Sequence, residues 1–247
     1  MSTISRSEIS RLRSLRSARE RKLERQFIAE GTKLLAELER SDYEIDRVYC
    51  TEDYGMEGKE RLGGRLVVIS EKAMERISPM ATPPGILAVV NIPDEKPLSF
   101  DPGLILMLDR ISDPGNMGTI LRNADWFGVD RLICMENCVD VYNPKVVQAS
   151  MGSLFRLDIV YRPINELRNE LPSDFKVILA EKGGTPVGEF SFPSKSILVI
   201  GSESHGVGNS VRDLASESIS IPGESGRAES LNAAVASGIL LSAFYNI

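Results

Sequence analysis

The chain predicts an α/β protein, with a doubly wound parallel-sheet domain over residues 104–247 and a smaller α/β module over 27–91. Three observations carry this reading. From Leu104 onward, short apolar runs recur at Leu104–Leu108, Arg131–Met135, Leu157–Tyr161, Lys176–Ala180 and Ser196–Ile200, the texture of strands buried on both faces. Upstream, Ile45–Cys50, Leu66–Ser70 and Ile86–Asn91 read as strands, with a helical pattern at Glu71–Ile77. Between these regions, residues 92–103 carry Pro93, Pro97 and Pro102 among charges, a linker composition because proline removes backbone donors and restricts the residue before it.

The elements follow in order. Residues 1–26 hold eight Arg and Lys against three Glu, a local +5 in a chain of net charge −6. Ile9, Leu12, Leu15 and Leu23 recur there at roughly helical spacing, so the segment reads as a basic amphipathic helix. Such a face is either simply solvated or a phosphate-tracking arm that gains affinity by displacing counterions. Phe27–Leu38 returns to helical spacing. In the larger domain, helices are expected near Gly118–Phe127, Pro144–Met151, Ile164–Leu171, Ser210–Leu214 and Leu231–Tyr245. The last of these is small-sided at Ala233, Ala234, Ala236, Ser237 and Gly238, which permits close backbone approach, and keeps an apolar stripe at Leu231, Val235 and Ile239.

Composition narrows the function classes. No apolar run approaches the ~20 residues needed to span a bilayer, and the polar start Met1-Ser-Thr-Ile-Ser lacks a signal peptide's apolar middle, so a cytoplasmic location without membrane association is expected. Cys50, Cys134, Cys138 and a single histidine make a poor zinc ligand set, and the odd cysteine count argues against a disulfide framework. The net negative charge argues against general attraction to nucleic acid outside the basic segment.

Ligands of doubly wound sheets sit beyond the carboxyl ends of the strands, which directs attention to three polar loops. In Asp109–Asn116, Pro114-Gly115 makes a turn and Asn116 can cap a helix; Arg122, about one turn in, could reach back over the helix N-terminus, where free amides favour an anion. A surface arginine on an amphipathic helix is the plainer alternative. In Gly201–Asn209 a carboxylate, Glu203, lies among glycines directly after a strand. Their spacing is not G-x-G-x-x-G, which disfavours a nucleotide-dependent oxidoreductase. His205 has no identifiable acidic partner and reads as a loop histidine without catalytic duty. In the third loop a β-branched run stops at Pro222 and a helix begins after Ser230, a natural N-cap.

Together, Asn116-x-Gly118-x-x-x-Arg122, Gly201-Ser202-Glu203-x-x-Gly206, and Ile221-Pro222 followed by Ser230-Leu231-Asn232 resemble, in order and spacing, the three motifs of the SpoU/TrmH RNA ribose 2′-O-methyltransferases of the SPOUT superfamily. Phe27-Ile-Ala-Glu30-Gly31 and the strand after Gly85 are similar to the ribosomal-protein-like substrate-binding domain that many members carry. The resemblance implies a parallel-sheet α/β catalytic domain whose C-terminal segment threads a trefoil knot, S-adenosylmethionine as methyl donor without a metal, and a homodimer formed through the C-terminal domain. It implies structured RNA, ribosomal or transfer, as substrate. Carried onto matching positions, Asn116, Arg122, Glu203, Ser230 and Asn232 are the catalytic set, with Glu203 orienting Arg122 or Asn116. Leu179, Ala180, Glu181, Gly184, Gly201, Ser202, Gly206, Ile221, Pro222 and Leu231 would contact the cofactor. Ser204-His205 and the long loop from Pro222-Gly223 depart from the family pattern and bear on loop shape and substrate choice. A non-catalytic RNA-binding or ribosome-assembly factor of the same fold is the alternative, and the retained polar set opposes it.

Overall fold

The computed structural model describes residues 4–54, 62–101, 103–224 and 227–246. Ser225 and Gly226, in the third loop, and Met1–Thr3 lie outside the described residues. Two compact units divide the chain: Met1–Asp94 with Asp140–Phe155, and Glu95–Val139 with Arg156–Ile247.

In the first unit, β1 (Gln26–Glu30) pairs antiparallel with β4 (Ile86–Asn91), β4 antiparallel with β2 (Ile45–Cys50), and β2 parallel with β3 (Leu66–Val68). The helical reading of Phe27–Leu38 is corrected here. Phe27, Ile28, Ala29 and Glu30 are all buried in β1, and α3 (Thr32–Leu38) starts only after Gly31, whose φ of +95° suits glycine and turns the chain. A short, continuous apolar run does not by itself distinguish the two periods.

The basic segment is two helices, α1 (Arg6–Ser14) and α2 (Ala18–Glu24). Ile9, Leu12 and Leu15 pack with Ile28, Tyr49, Met74 of α4 (Glu71–Ile77), Leu87 and Val89, so the segment is part of the core. Leu23, expected on the same stripe, is exposed. The break between α1 and α2 is held by Arg21. Only 2 % exposed, it donates to the Leu15 and Arg16 carbonyls at 2.9 Å each and pairs with Asp140 at 2.5 Å. That pair, with Phe27 packed against Tyr142 and Phe155, holds residues 140–155 in this unit. They include α6 (Pro144–Ser150), which packs on β1. Within the stretch 104–247, residues 140–155 thus pack with the first unit: helical periodicity shows that a helix has an apolar face, not which surface covers it.

The second unit is a six-stranded, wholly parallel sheet in the order β10-β8-β9-β5-β6-β7. Its strands are β5 (Gly103–Leu108), β6 (Arg131–Cys134), β7 (Asp158–Tyr161), β8 (Lys176–Pro186), β9 (Lys195–Ile200) and β10 (Glu217–Ser220). Ile105, Met107, Ile133, Val177, Ile197 and Val199 form its core, with Leu167 of α7 (Ile164–Glu170) and Val211 of α8 (Asn209–Arg212). β8 runs six residues beyond the expected Ala180. Its register with β10 jumps from Leu179 opposite Ser218 to Thr185 opposite Ile219, and Gly183 at φ +80° lies inside the excursion. β5 has β6 on one side and β9 on the other, so strand order reverses beyond its carboxyl end. On the helical side, α9 (Ala233–Tyr245) packs on α5 (Pro114–Trp126), and Asn123 donates to the Ala234 carbonyl at 2.8 Å and to Ser237 Oγ at 2.9 Å. The small side chains thus serve a helix contact within the unit.

Candidate active site

At the switch point the chain leaves β5 through Asp109, whose buried carboxylate accepts from Gly208 N at 2.7 Å and so ties this loop to the one after β9. Arg110 follows with φ +59° and its N–H bonded to Asn137 Oδ1 at 3.0 Å. Asp113, rather than Asn116, caps α5: its Oδ1 accepts from Asn116 N at 2.8 Å, and Pro114 occupies the first turn, where no N–H is needed. Asn116 is thereby free to point its side chain elsewhere.

It points to Glu203. Asn116 Nδ2 donates to Glu203 Oε1 at 2.8 Å, Asn232 Nδ2 donates to the same oxygen at 2.8 Å, and Ala233 N donates to it at 3.0 Å. Asn232 Nδ2 also reaches Asn116 Oδ1 at 2.8 Å, closing a three-residue network. Asn232, not the expected Ser230, is the N-cap of α9, with Oδ1 accepting from Ala234 N and Val235 N. A cap belongs where the backbone turns helical, and asparagine serves as well as serine there. Glu203 therefore lies at the first turns of both α5 and α9, where helix dipoles and free N–H groups favour a negative charge.

The structure joins Asn116, Glu203 and Asn232. Arg122, farther along α5, and Ser230, two residues before the α9 cap, are exposed and lie outside this hydrogen-bond network. Glu203 orients Asn116, one of the two partners expected for it. Asp109 and its bond to Gly208 were not anticipated; a lone carboxylate directly after a buried strand was the available sequence signal.

The residues assigned to the cofactor lie along the ends of β8, β9 and β10. Leu179 is buried on β8 and precedes Ala180; Glu181 is paired with Arg212 at 2.5 Å. At Gly184 an added Cβ would come 2.6 Å from Ile219 N, and Ser220 Oγ donates to the Gly184 carbonyl at 2.8 Å. At Gly201 a Cβ would come 2.6 Å from Gly206 C, because Gly206 N bonds back to Ser202 O at 2.8 Å and closes the loop. Ile221 is half-buried, while Pro222 and Leu231 are exposed. His205 is exposed and bonded to Ser204 Oγ through Nδ1 at 2.8 Å.

Comparison with known proteins agrees with this geometry. Residues 103–242 match the SpoU rRNA Methylase family, and residues 6–88 match the MRM3-like substrate binding domain. The 23S rRNA (guanosine(2553)-2′-O)-methyltransferase RlmP of Bacillus subtilis is 28 % identical over 231 residues, covering 93 % of this chain and 92 % of that one. The 23S rRNA (uridine(2479)-2′-O)-methyltransferase of Streptomyces viridochromogenes is 37 % identical over 171 residues, 64 % of this chain and 59 % of the relative. Among solved structures, a protein assigned to the TrmH family of RNA methyltransferases from Porphyromonas gingivalis superposes with a TM-score of 0.88 at 34 % identity, covering 98 % of both chains. AviRb from S. viridochromogenes, in complex with AdoMet, superposes with a TM-score of 0.86 at 26 % identity over 98 % of both chains. With its switch-point network in place and more than half of its length matched, the chain belongs to the SpoU rRNA Methylase family.

Proposed function

We propose that this chain transfers a methyl group from S-adenosylmethionine to a ribose 2′-hydroxyl of ribosomal RNA. The observation that carries this is the Asn116–Glu203–Asn232 network at the carboxyl end of β5 in a chain of this family. The residues beside it suit the cofactor: Gly184 and Gly201 let neighbouring backbone segments pack directly on one another, which shapes the ends of these strands, and Ile221 and Leu231 add accessible apolar surface. When bound, the cofactor supplies an electrophilic methyl on a sulfonium.

The chain's own contribution is positioning and charge stabilisation. Asn116 and Asn232 are held in fixed rotamers by Glu203, so their amides are preorganised. Arg122 binds the phosphate beside the target ribose and stabilises the alkoxide as it develops. A guanidinium, which stays protonated, is a poor proton acceptor and a good bidentate anion ligand. Ser230 shapes the loop against nucleotide or cofactor. The exposed Leu231, Val235 and Ile239 on and before α9 form a homodimer face, and the β8–β10 region is threaded as a trefoil knot. The substrate-binding unit holds structured RNA through phosphates and shape, and the protein works in the cytoplasm.

The test is mapping of ribose 2′-O-methyl groups in total RNA from cells with and without the gene, paired with transfer of labelled methyl to ribosomal RNA by the purified protein. One site lost in the deletion and restored by the wild-type chain is expected. Restoration by an Arg122→Lys chain at near wild-type rate would overturn the bidentate phosphate role, and an unchanged methylation map would overturn the activity.

A further inference from the structure

The first unit contains a cavity of about 410 Å³ whose chemistry the methyl-transfer reading leaves unused. Glu30 lines it, together with the apolar Ile28, Pro79 and Pro144 and the polar Lys145 and Gln148. Its volume is within the range of about 300–1,000 Å³ common to small-ligand sites. A duplex could not enter such a space, whereas one unstacked base could.

Glu30 is only 4 % exposed. Its Oε2 accepts from Ser78 Oγ at 2.5 Å, and its buried Oε1 has no hydrogen-bond donor among the described residues. Arg16, the neighbouring cation, donates instead to the Ser78 and Ile77 carbonyls. Burial pushes the carboxyl up to about 7 against the opposing pull of the Ser78 hydrogen bond and the Arg16 charge. An unpaired carboxylate oxygen in apolar surroundings is costly unless a donor reaches it. A carboxyl kept only for packing would have its acceptors filled.

We infer that this cavity is a base-recognition pocket for a single unpaired guanine of the RNA substrate. Guanine presents N1–H and N2–H side by side, the arrangement a carboxylate accepts; the flat apolar walls of Ile28, Pro79 and Pro144 take the ring faces, and exposed Lys145 serves the flanking phosphate. Sequence-specific contacts to RNA fall on such splayed bases, read on their Watson–Crick edge. Adenine offers one amino group and an acceptor there, and inosine lacks the N2 amino group. The inference rests on RNA being the substrate, as proposed above, and adds where one base is read.

Binding of the full chain to short oligouridylates carrying one central guanine, inosine or adenine, followed by fluorescence anisotropy at fixed salt, tests it. Wild type should favour the guanine probe over the adenine probe by about tenfold or more, the discrimination of one bidentate base contact, with inosine between them. Glu30→Gln should remove the preference and leave S-adenosylmethionine affinity unchanged. Equal binding of all three probes by wild type, or a preference that survives Glu30→Gln, overturns the pocket. Should Glu30→Gln fail to fold, Met80, which lines the cavity, reports on the wild-type chain. Its labelled methyl signal should shift with guanosine monophosphate and not with adenosine monophosphate, and equal response to both overturns the inference. Methyl transfer to ribosomal RNA, measured on the same preparation, separates the readings: transfer without guanine preference refutes the pocket alone, and guanine preference without transfer supports the pocket while refuting the enzyme.

Discussion

Glu203 gathers three N–H donors on one carboxylate oxygen, from Asn116, Asn232 and the backbone of Ala233. Charge-assisted hydrogen bonds of this kind are the stronger ones, and here they set the rotamers of two amides at once. Glu203→Gln keeps the shape and removes the charge. It should lower the rate of methyl transfer by about 10²-fold, as loss of a preorganised electrostatic contact does, with cofactor affinity from calorimetry nearly unchanged. Glu30 makes a different statement at the same scale. Its carboxyl titrates near 7 in the folded chain and near 4.5 when exposed, so between these values the folded chain holds a proton that the unfolded chain has released. Its contribution to stability is therefore full below about pH 4.5 and falls as pH rises toward 7. Glu30→Gln should exceed wild type in stability at pH 8 by about 2–3 kcal/mol and converge with it toward pH 4.5, as read by urea titrations at both ends.

At the scale of elements, the pairing of β8 with β10 depends on backbone contact at Gly184. An alanine there brings Cβ within 2.6–2.7 Å of Ser218 and Ile219 backbone atoms, and strand backbone has no rotamer by which to yield. Gly184→Ala should cost about 1–3 kcal/mol, typical of overpacking, and weaken S-adenosylmethionine binding, whereas Gly188→Ala, with nothing within 4 Å, should change neither. Thermal melting and calorimetry of the pair separate the local collision from a general effect of removing glycine. The helices argue similarly. α9 packs on α5 through the contacts of Asn123, which leaves Leu231, Val235 and Ile239 exposed, along with Trp126 at the end of α5, 85 % exposed.

For the whole molecule, that exposed apolar set is the face proposed above for a second copy. Val235→Glu, at a position 52 % exposed, should leave the melting temperature of the chain little changed and shift the molar mass in light scattering from dimer to monomer. A monomeric wild type, or a variant that stays dimeric, would remove this face as the interface. The proposed RNA role of the basic segment needs a correspondingly careful variant. Because Leu12 and Leu15 are fully buried and Arg21 is paired with Asp140, deleting the segment would damage the core. Reversing the exposed Arg13, Arg19 and Lys22 to Glu leaves the core intact. It should weaken RNA binding and flatten its salt dependence by about 2 in log–log slope, with cofactor affinity preserved. An unchanged slope would mean that this face is simply solvated.

The sequence by itself determined most of the local structure and three members of the polar network at the switch point. Strands at Ile45–Cys50 and Ile86–Asn91 and the helix Glu71–Ile77 are found with the bounds expected for them, because apolar runs bounded by glycine, proline and capping residues act within a few residues of chain. Asn116, Glu203 and Asn232 were legible as a set because three polar loops in the right order are more specific than any one. What the tertiary structure alone decided are matters of long-range partnership. That Asp113 and Asn232 hold the caps depends on which side chains Glu203 recruits across the sheet edge. That Phe27–Glu30 is a strand depends on β4 lying beside it. Residues 140–155 join the first unit through the pairing of Arg21 with Asp140 and the packing of Phe27 on Tyr142 and Phe155, groups more than a hundred residues apart in the chain. Periodicity reports that a face is apolar; only packing determines what covers it, and with that, which buried polar groups such as Glu30 keep an oxygen unpaired.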